Sequence, residues 1–257
     1  MKPLHNTASA QGRAKQKTKG FSVTYQAISV VLLSGLLLLC DQSAMAASSP
    51  SAGHITLSQS AQQEMFQQAL NSDAQGNPQQ ARQFFDALLG TRIEHQAAAP
   101  SAVNFINLGK YPEAREKFRA ITVTGTPRDA TYAHLWLLWL TARTWEGKPA
   151  DLQAELVRQA SGIHANDAVH QHLIDLYAGK GDVETVMTAV ASTGGGEASR
   201  NDLFTEAAFF VGGWQQYIGH APNAAQQLYQ RALPLSAASI ERPQLEQAIA
   251  ALQTASR

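Results

Sequence analysis

The sequence predicts an all-α fold, a solenoid of about five helical hairpins, and three observations carry that prediction. Ala, Leu and Gln recur throughout while runs of Val, Ile and Thr are scarce, so helix formers dominate. Five glycines, Gly76, Gly109, Gly147, Gly181 and Gly219, stand 33, 38, 34 and 38 residues apart. Each is followed by an apolar residue at +5 (Ala81, Ala114, Leu152, Val186, Ala224) and another at +9 (Phe85, Phe118, Leu156, Val190, Leu228).

Each column has a physical task. A glycine ends the first helix of a hairpin in the left-handed conformation without steric cost. Pro78, Pro112, Pro149 and Pro222 follow four of the glycines by two or three residues. They suit the first turn of the second helix, where a missing N–H bonds nothing anyway. Positions +5 and +9 share one face of that helix. The residue at +5, alanine in three of the five units, lets two helices approach, and the larger one at +9 fills the layer beneath.

Taken in order, the chain divides into a leader (1–46), a flexible linker (47–60) and a helical repeat domain (61–257). The leader has a basic stretch at 13–19, an uncharged apolar run at 27–40 and small residues in Ala44-Met45-Ala46. That is the pattern of a secretory signal peptide cleaved after Ala46. The apolar run is about 14 residues, roughly 21 Å as a helix and short of the ~30 Å hydrocarbon slab. An uncleaved anchor is the alternative, as is acylation of Cys40, the only cysteine, although Leu39 before it is not small. Cleavage at Ala46 leaves no cysteine and therefore no disulfide. Residues 47–60 are small, polar and aperiodic, as a tether is.

The net charge of zero conceals an asymmetry. Residues 1–46 hold five of the 20 basic residues and one of the 20 acidic ones, which leaves 15 and 19 in 47–257, a net −4. Such a body has no basic field for nucleic acid or an anionic membrane, so membrane contact is expected only through an uncleaved leader or a lipidated Cys40.

The repeat pattern resembles the tetratricopeptide repeat. The clearest match is Leu108-Gly109-Lys110-Tyr111-Pro112-Glu113-Ala114, followed by Phe118. Trp136 stands eleven before Gly147, in that family's tryptophan column, Tyr177 four before Gly181 and Gly212 seven before Gly219. The stretch 209–215 together with 224–233 is similar to envelope-associated, periplasmic members that act as adaptors in Gram-negative bacteria. The resemblance spans about 61–235. It implies a right-handed superhelix whose inner groove, lined by first helices, binds an extended peptide or a partner helix. Two departures bear on this. Pro100 predicts a short first helix over 101–108 in the second unit. The two 38-residue gaps predict longer loops around Gly125-Thr126-Pro127 and Thr193-Gly194-Gly195-Gly196.

Among candidate sites, Trp136 and Trp139 lie three apart on one helical face and read as packing between hairpins. His170 and His172 are two apart, which on a helix separates them by about 200°, so no metal is expected there. Gly194-Gly195-Gly196 has no following Lys-Ser/Thr and reads as a loop. No nucleophile elbow, zinc-helix motif or dinucleotide fingerprint occurs, so neither catalysis nor a cofactor is expected. The polar positions expected to be least needed for packing on first helices are His134, Thr141, Arg143 and Gln171, the candidate partner-binding residues. The function expected is that of an exported, periplasmic or secreted adaptor binding a protein or peptide. The alternatives are a membrane-tethered assembly component and a cryptic enzyme or enzyme-accessory subunit.

Overall fold

The structure is a computed structural model that describes residues 57–237 and 239–255. The expected leader, cleavage after Ala46, acylation of Cys40 and the linker to residue 56 lie outside the described residues. The described residues are all-α, with eleven α-helices, one 3-10 turn and no strand. Ten helices form successive pairs, each packed together: α1 (Gln59–Ala74) with α2 (Pro78–Ala87), and α3 (Glu94–Asn107) with α4 (Tyr111–Thr124). Then come α5 (Pro127–Arg143) with α6 (Pro149–Ala160), and α7 (Ala168–Tyr177) with α8 (Val183–Ser192). The last pair is α9 (Glu197–Tyr217) with α10 (Pro222–Ala232), followed by the 3-10 turn Leu233–Leu235 and α11 (Arg242–Ala255). The first helix begins within the expected linker because Ser58 caps it, its hydroxyl accepting from the Ala61 amide.

The glycine columns mark all five turns, yet only two of the five glycines are left-handed. Gly76 (φ 77°) and Gly109 (φ 71°) are, and in both the next residue's amide reaches back five positions, Asn77 to Ser72 and Lys110 to Phe105. In the fourth pair this geometry belongs to Gly179 (φ 69°), with Lys180 bonding Asp175, and Gly181 follows without it. Gly147 is needed for a different reason. The Trp145 indole crosses the loop to donate to the Lys148 carbonyl (3.0 Å), and a Cβ on Gly147 would lie 2.9 Å from its Nε1. In the fifth pair His220 (φ 49°) is the left-handed residue, one beyond Gly219. The small-residue column moves one position with it, Ala225 being buried and Ala224 half-exposed, while the expected +9 residue Leu228 is buried beside Tyr229. Elsewhere the columns hold, with Ala81, Ala114, Val186, Phe85, Phe118 and Leu156 at most 1% exposed.

Two boundary expectations fail. Pro100 lies inside α3, its ring buried; the carbonyl it leaves without its helical amide is that of Gln96, an exposed residue. The extra residues of the two 38-residue gaps lengthen first helices instead of loops. Only Gly125 and Thr126 separate α4 from α5, whereas α5 has 17 residues and α9 has 21 against ten in α7. Thr126 fixes that short junction with a capping box: its hydroxyl receives the Asp129 amide and its own amide reaches the Asp129 carboxylate.

Long α5 and α9 meet directly, across the short α7. Trp136 packs on Phe209 (4.8 Å between centroids), Phe210 (5.5 Å), Trp139 (5.5 Å) and Phe118, the last stacked at 5.4 Å. The approach depends on Gly213 in mid-α9, and the packing of α10 on the same helix depends on its neighbour Gly212. A Cβ on Gly213 would stand 2.4 Å from Trp139 Cδ1, and one on Gly212 would stand 2.3 Å from Tyr229 Cε1. Direct packing of the third pair on the fifth departs from a nearest-neighbour stack. It fills the space between these first helices with the protein's own aromatic rings. A second, smaller core of Phe66, Ala69, Ala81, Phe85, Leu88 and Ala97 holds the first pair.

Candidate functional site

Three of the four expected partner-binding residues are engaged inside the protein. Thr141 is buried; its hydroxyl donates to the Leu137 carbonyl (2.9 Å) and accepts from Arg115 Nη1 (3.1 Å). Arg143 donates to the hydroxyls of Tyr217 (2.5 Å) and Tyr111 (3.1 Å) and lies 5.3 Å from the Trp139 ring, closing the far end of the α5–α9 contact. Gln171 accepts from the Ala165 amide and donates to Asp175. His134 is half-buried, and desolvation lowers its pKa. Nine of the 17 residues of α5 are buried, Thr141 among them, while His134 and Arg143 of α5 and Gln171 of α7 are half-buried.

A polar network that sequence reading missed lies beside the aromatic core. His170 is 4% exposed, its Nδ1 bonded to Asp167 and its Nε2 to Glu206 Oε1 (2.5 Å). Burial works against its charge, but Glu206 and Asp167 outweigh it and hold the pKa at about 10. Asp167 also caps α7, accepting from the His170 amide. Nearby, the Tyr132 hydroxyl donates to the buried Glu241 carboxylate, as does Ser239. Burial, then the charge of Glu206, pushes Glu241 up to about 7. Both ring nitrogens of His170 are held by carboxylates, so its imidazolium serves as a fixed charge joining α7 to α9. Among the described residues, no cluster of three or more His, Cys, Asp or Glu has the geometry of a metal site. No described helix is long and apolar enough to cross a membrane.

Among the described residues, two of the clefts with apolar linings occupy the same kind of place: between two successive second helices, above the first helix that separates them. One, of about 390 Å³, lies between α2, α3 and α4 over Phe85, Leu88 and Ile121, with Leu89 52% exposed at its edge. The other, of about 500 Å³, lies between α8, α9 and α10 and is lined by Val183, Met187, Phe204 and Leu228. Arg231 spans its rim 5.5 Å from the Phe204 ring, and the Gln215 side-chain oxygen in its lining is buried with no hydrogen-bond partner among the described residues. Sequence reading passed over these residues because helical periodicity marks an apolar position without saying whether a neighbour covers it.

Compared with known proteins, the chain matches no protein-family model and no curated protein sequence.

Proposed function

We propose that this chain is an exported protein-binding scaffold of the tetratricopeptide type, working in the envelope without chemistry of its own. The observation that carries the reading is the pair of clefts between second helices. Both are floored by apolar side chains, both are open to solvent, and they recur at equivalent seams of a repeated unit. Binding through the outer seams follows from the way α5 and α9 use up the space between first helices. In the α8–α10 cleft, flexible Met187 adapts to an inserted side chain.

The test is photo-crosslinking from a probe placed at Gln227, on the rim of the α8–α10 cleft, followed by pull-down from the envelope fraction. A discrete partner is expected, lost when Met187→Asp places a charge in the cleft. Recovery of no partner, or of the same partner by the Asp variant, overturns the reading. Mass measurement of the mature protein tests export separately, with loss of residues 1–46 expected.

A further inference from the structure

The last helix of a nearest-neighbour stack packs on the pair before it. Helix α11 packs on α10 in that way, yet it also reaches back to first helices far earlier in the chain. It touches α1, and Gln244 in its first turn donates to the Asn107 side-chain oxygen at the end of α3 (2.5 Å). Glu241, immediately before it, accepts from the Tyr132 hydroxyl of α5. Leu245, Ala248, Ile249 and Leu252 carry its apolar face into the large core. Residues 239 to 255 thus form a clasp across the first helices of pairs one, two and three.

The clasp closes on a buried carboxylate. Glu241 is 4% exposed and is bonded by two hydroxyls, Tyr132 of α5 and Ser239 of its own loop. Among the described residues no cation pairs with it. Arg242 beside it is engaged by Glu246 (3.0 Å) and the Leu233 carbonyl (3.3 Å), and α3 offers only the neutral Asn107–Gln244 bond. Helix α9 presents Glu206, with exposed Asp202 one turn before it. The cation of α7, His170, is already held between Glu206 and Asp167, and Arg128 of α5 acts on Asp167. The two hydroxyls favour the anion, but burial and then Glu206 outweigh them and bring Glu241 to about 7. An anion there is cut off from water and faces a second carboxylate; protonation removes both penalties.

We propose that Glu241 is a proton-operated latch: protonated, it holds residues 239 to 255 against α1, α3 and α5, and ionised, it leaves for water and draws the segment off those helices. The latch stands apart from the scaffold reading and does not depend on it. Its sign follows from where the carboxyl sits. In the released segment Glu241 meets water and regains its ordinary 4.5, so the docked form binds the proton more tightly and docking weakens as the pH rises through 7. Release uncovers first-helix surface of pairs one to three, a face closed below neutral pH.

The test is hydrogen exchange of the whole protein at pH 6 and pH 8, with each rate corrected for intrinsic base catalysis. Protection of α11 is read relative to α5, so that a change in the stability of the whole molecule cancels. That ratio is expected to fall about tenfold between pH 6 and pH 8, the change in docking that a shift from 4.5 to about 7 produces. Glu241→Gln keeps an oxygen for the two hydroxyls and cannot ionise, so its ratio should be the same at both pH values and no lower than the parent's at pH 6. Glu206→Gln removes the facing charge and should flatten the profile by raising protection at pH 8. A merely structural Glu241 gives no such profile. Equal relative protection of the parent at both pH values overturns the proposal, as does a fall that survives Glu241→Gln or a profile unmoved by Glu206→Gln.

Discussion

The first helical pair and the last three are held in different ways. The first pair has a small core of six side chains, one of them Ala97 of α3, and polar groups add to its hold on the rest. Arg82 donates to the Ser101 carbonyl (3.1 Å) and hydroxyl (2.9 Å) and lies 4.4 Å from the Phe105 ring. Fully buried Asn104 donates to Asp73 and to the Pro78 carbonyl, both at 2.9 Å. The last three pairs share a continuous apolar core in which four of the largest side chains, Trp136, Trp139, Phe209 and Phe210, touch one another. Polar bonds fix geometry but each contributes only about 1 kcal/mol net, whereas a buried aromatic ring contributes several. The first pair should therefore open as a local unit, while pairs three to five unfold together.

Trp136→Ala should have the largest effect, about 4 kcal/mol of stability lost in denaturant unfolding, with hydrogen exchange accelerated in α5, α7 and α9 alike. Phe66→Ala is the matched cut in the small core: exchange should rise in α1 and α2 while α5 and α9 stay protected. Spread of the Phe66 effect through the whole molecule would erase the distinction between the two regions.

His170→Gln comes next, at about 3 kcal/mol, because it strands Glu206 and Asp167 beside the core without a counter-charge. It also tests the sign of the pH dependence. His170 titrates in the folded state at about 10 against an ordinary 6.5, so its contribution is complete below 6.5 and disappears as the pH rises through 10. Glu241, raised from 4.5 to about 7, contributes fully below 4.5 and loses that contribution by pH 7. Asp167, whose pKa is lowered from 3.8, acts in the opposite sense only at the acid extreme. The urea midpoint should therefore be higher at pH 5.5 than at pH 9, and His170→Gln should flatten the alkaline limb.

Arg82→Ala should cost about 1–2 kcal/mol and free the first pair without disturbing the large core, seen as exchange confined to α1–α3. Gly147→Val should be mildest, about 1 kcal/mol in a thermal melt, because the half-exposed Trp145 indole has room to move aside.

Local chemistry made the hairpins legible. Glycine spacing, the prolines of the second helices and the apolar pair four apart located all five turns, since each signal acts within a few residues. The glycines misled about conformation at Gly147, Gly181 and Gly219, where a ring packed against the turn or a neighbouring residue takes the strained φ. The site was far less legible. Tyr132 meets Glu241 across 109 positions and His170 meets Glu206 across 36, and no periodic signal joins such partners. Asp167, three residues before His170 at a helix start, was the one visible clue, readable as a cap but silent about the imidazole above it. Thr141 and Arg143 were chosen as polar positions on a first helix, and periodicity could not show that Arg115 would reach the one and Tyr111 and Tyr217 the other.

The α5–α9 contact has a consequence for how the chain is made. In a nearest-neighbour stack each hairpin finds its cover in the next few dozen residues, so folding keeps pace with elongation. Here the Trp136 indole waits for Phe209 and Phe210, some 70 residues downstream. At about 5–20 residues per second that is roughly 4–15 s during which a large apolar surface is without its partner. Until then the indole has, of its aromatic partners, only Phe118, Tyr132 and Trp139 against it.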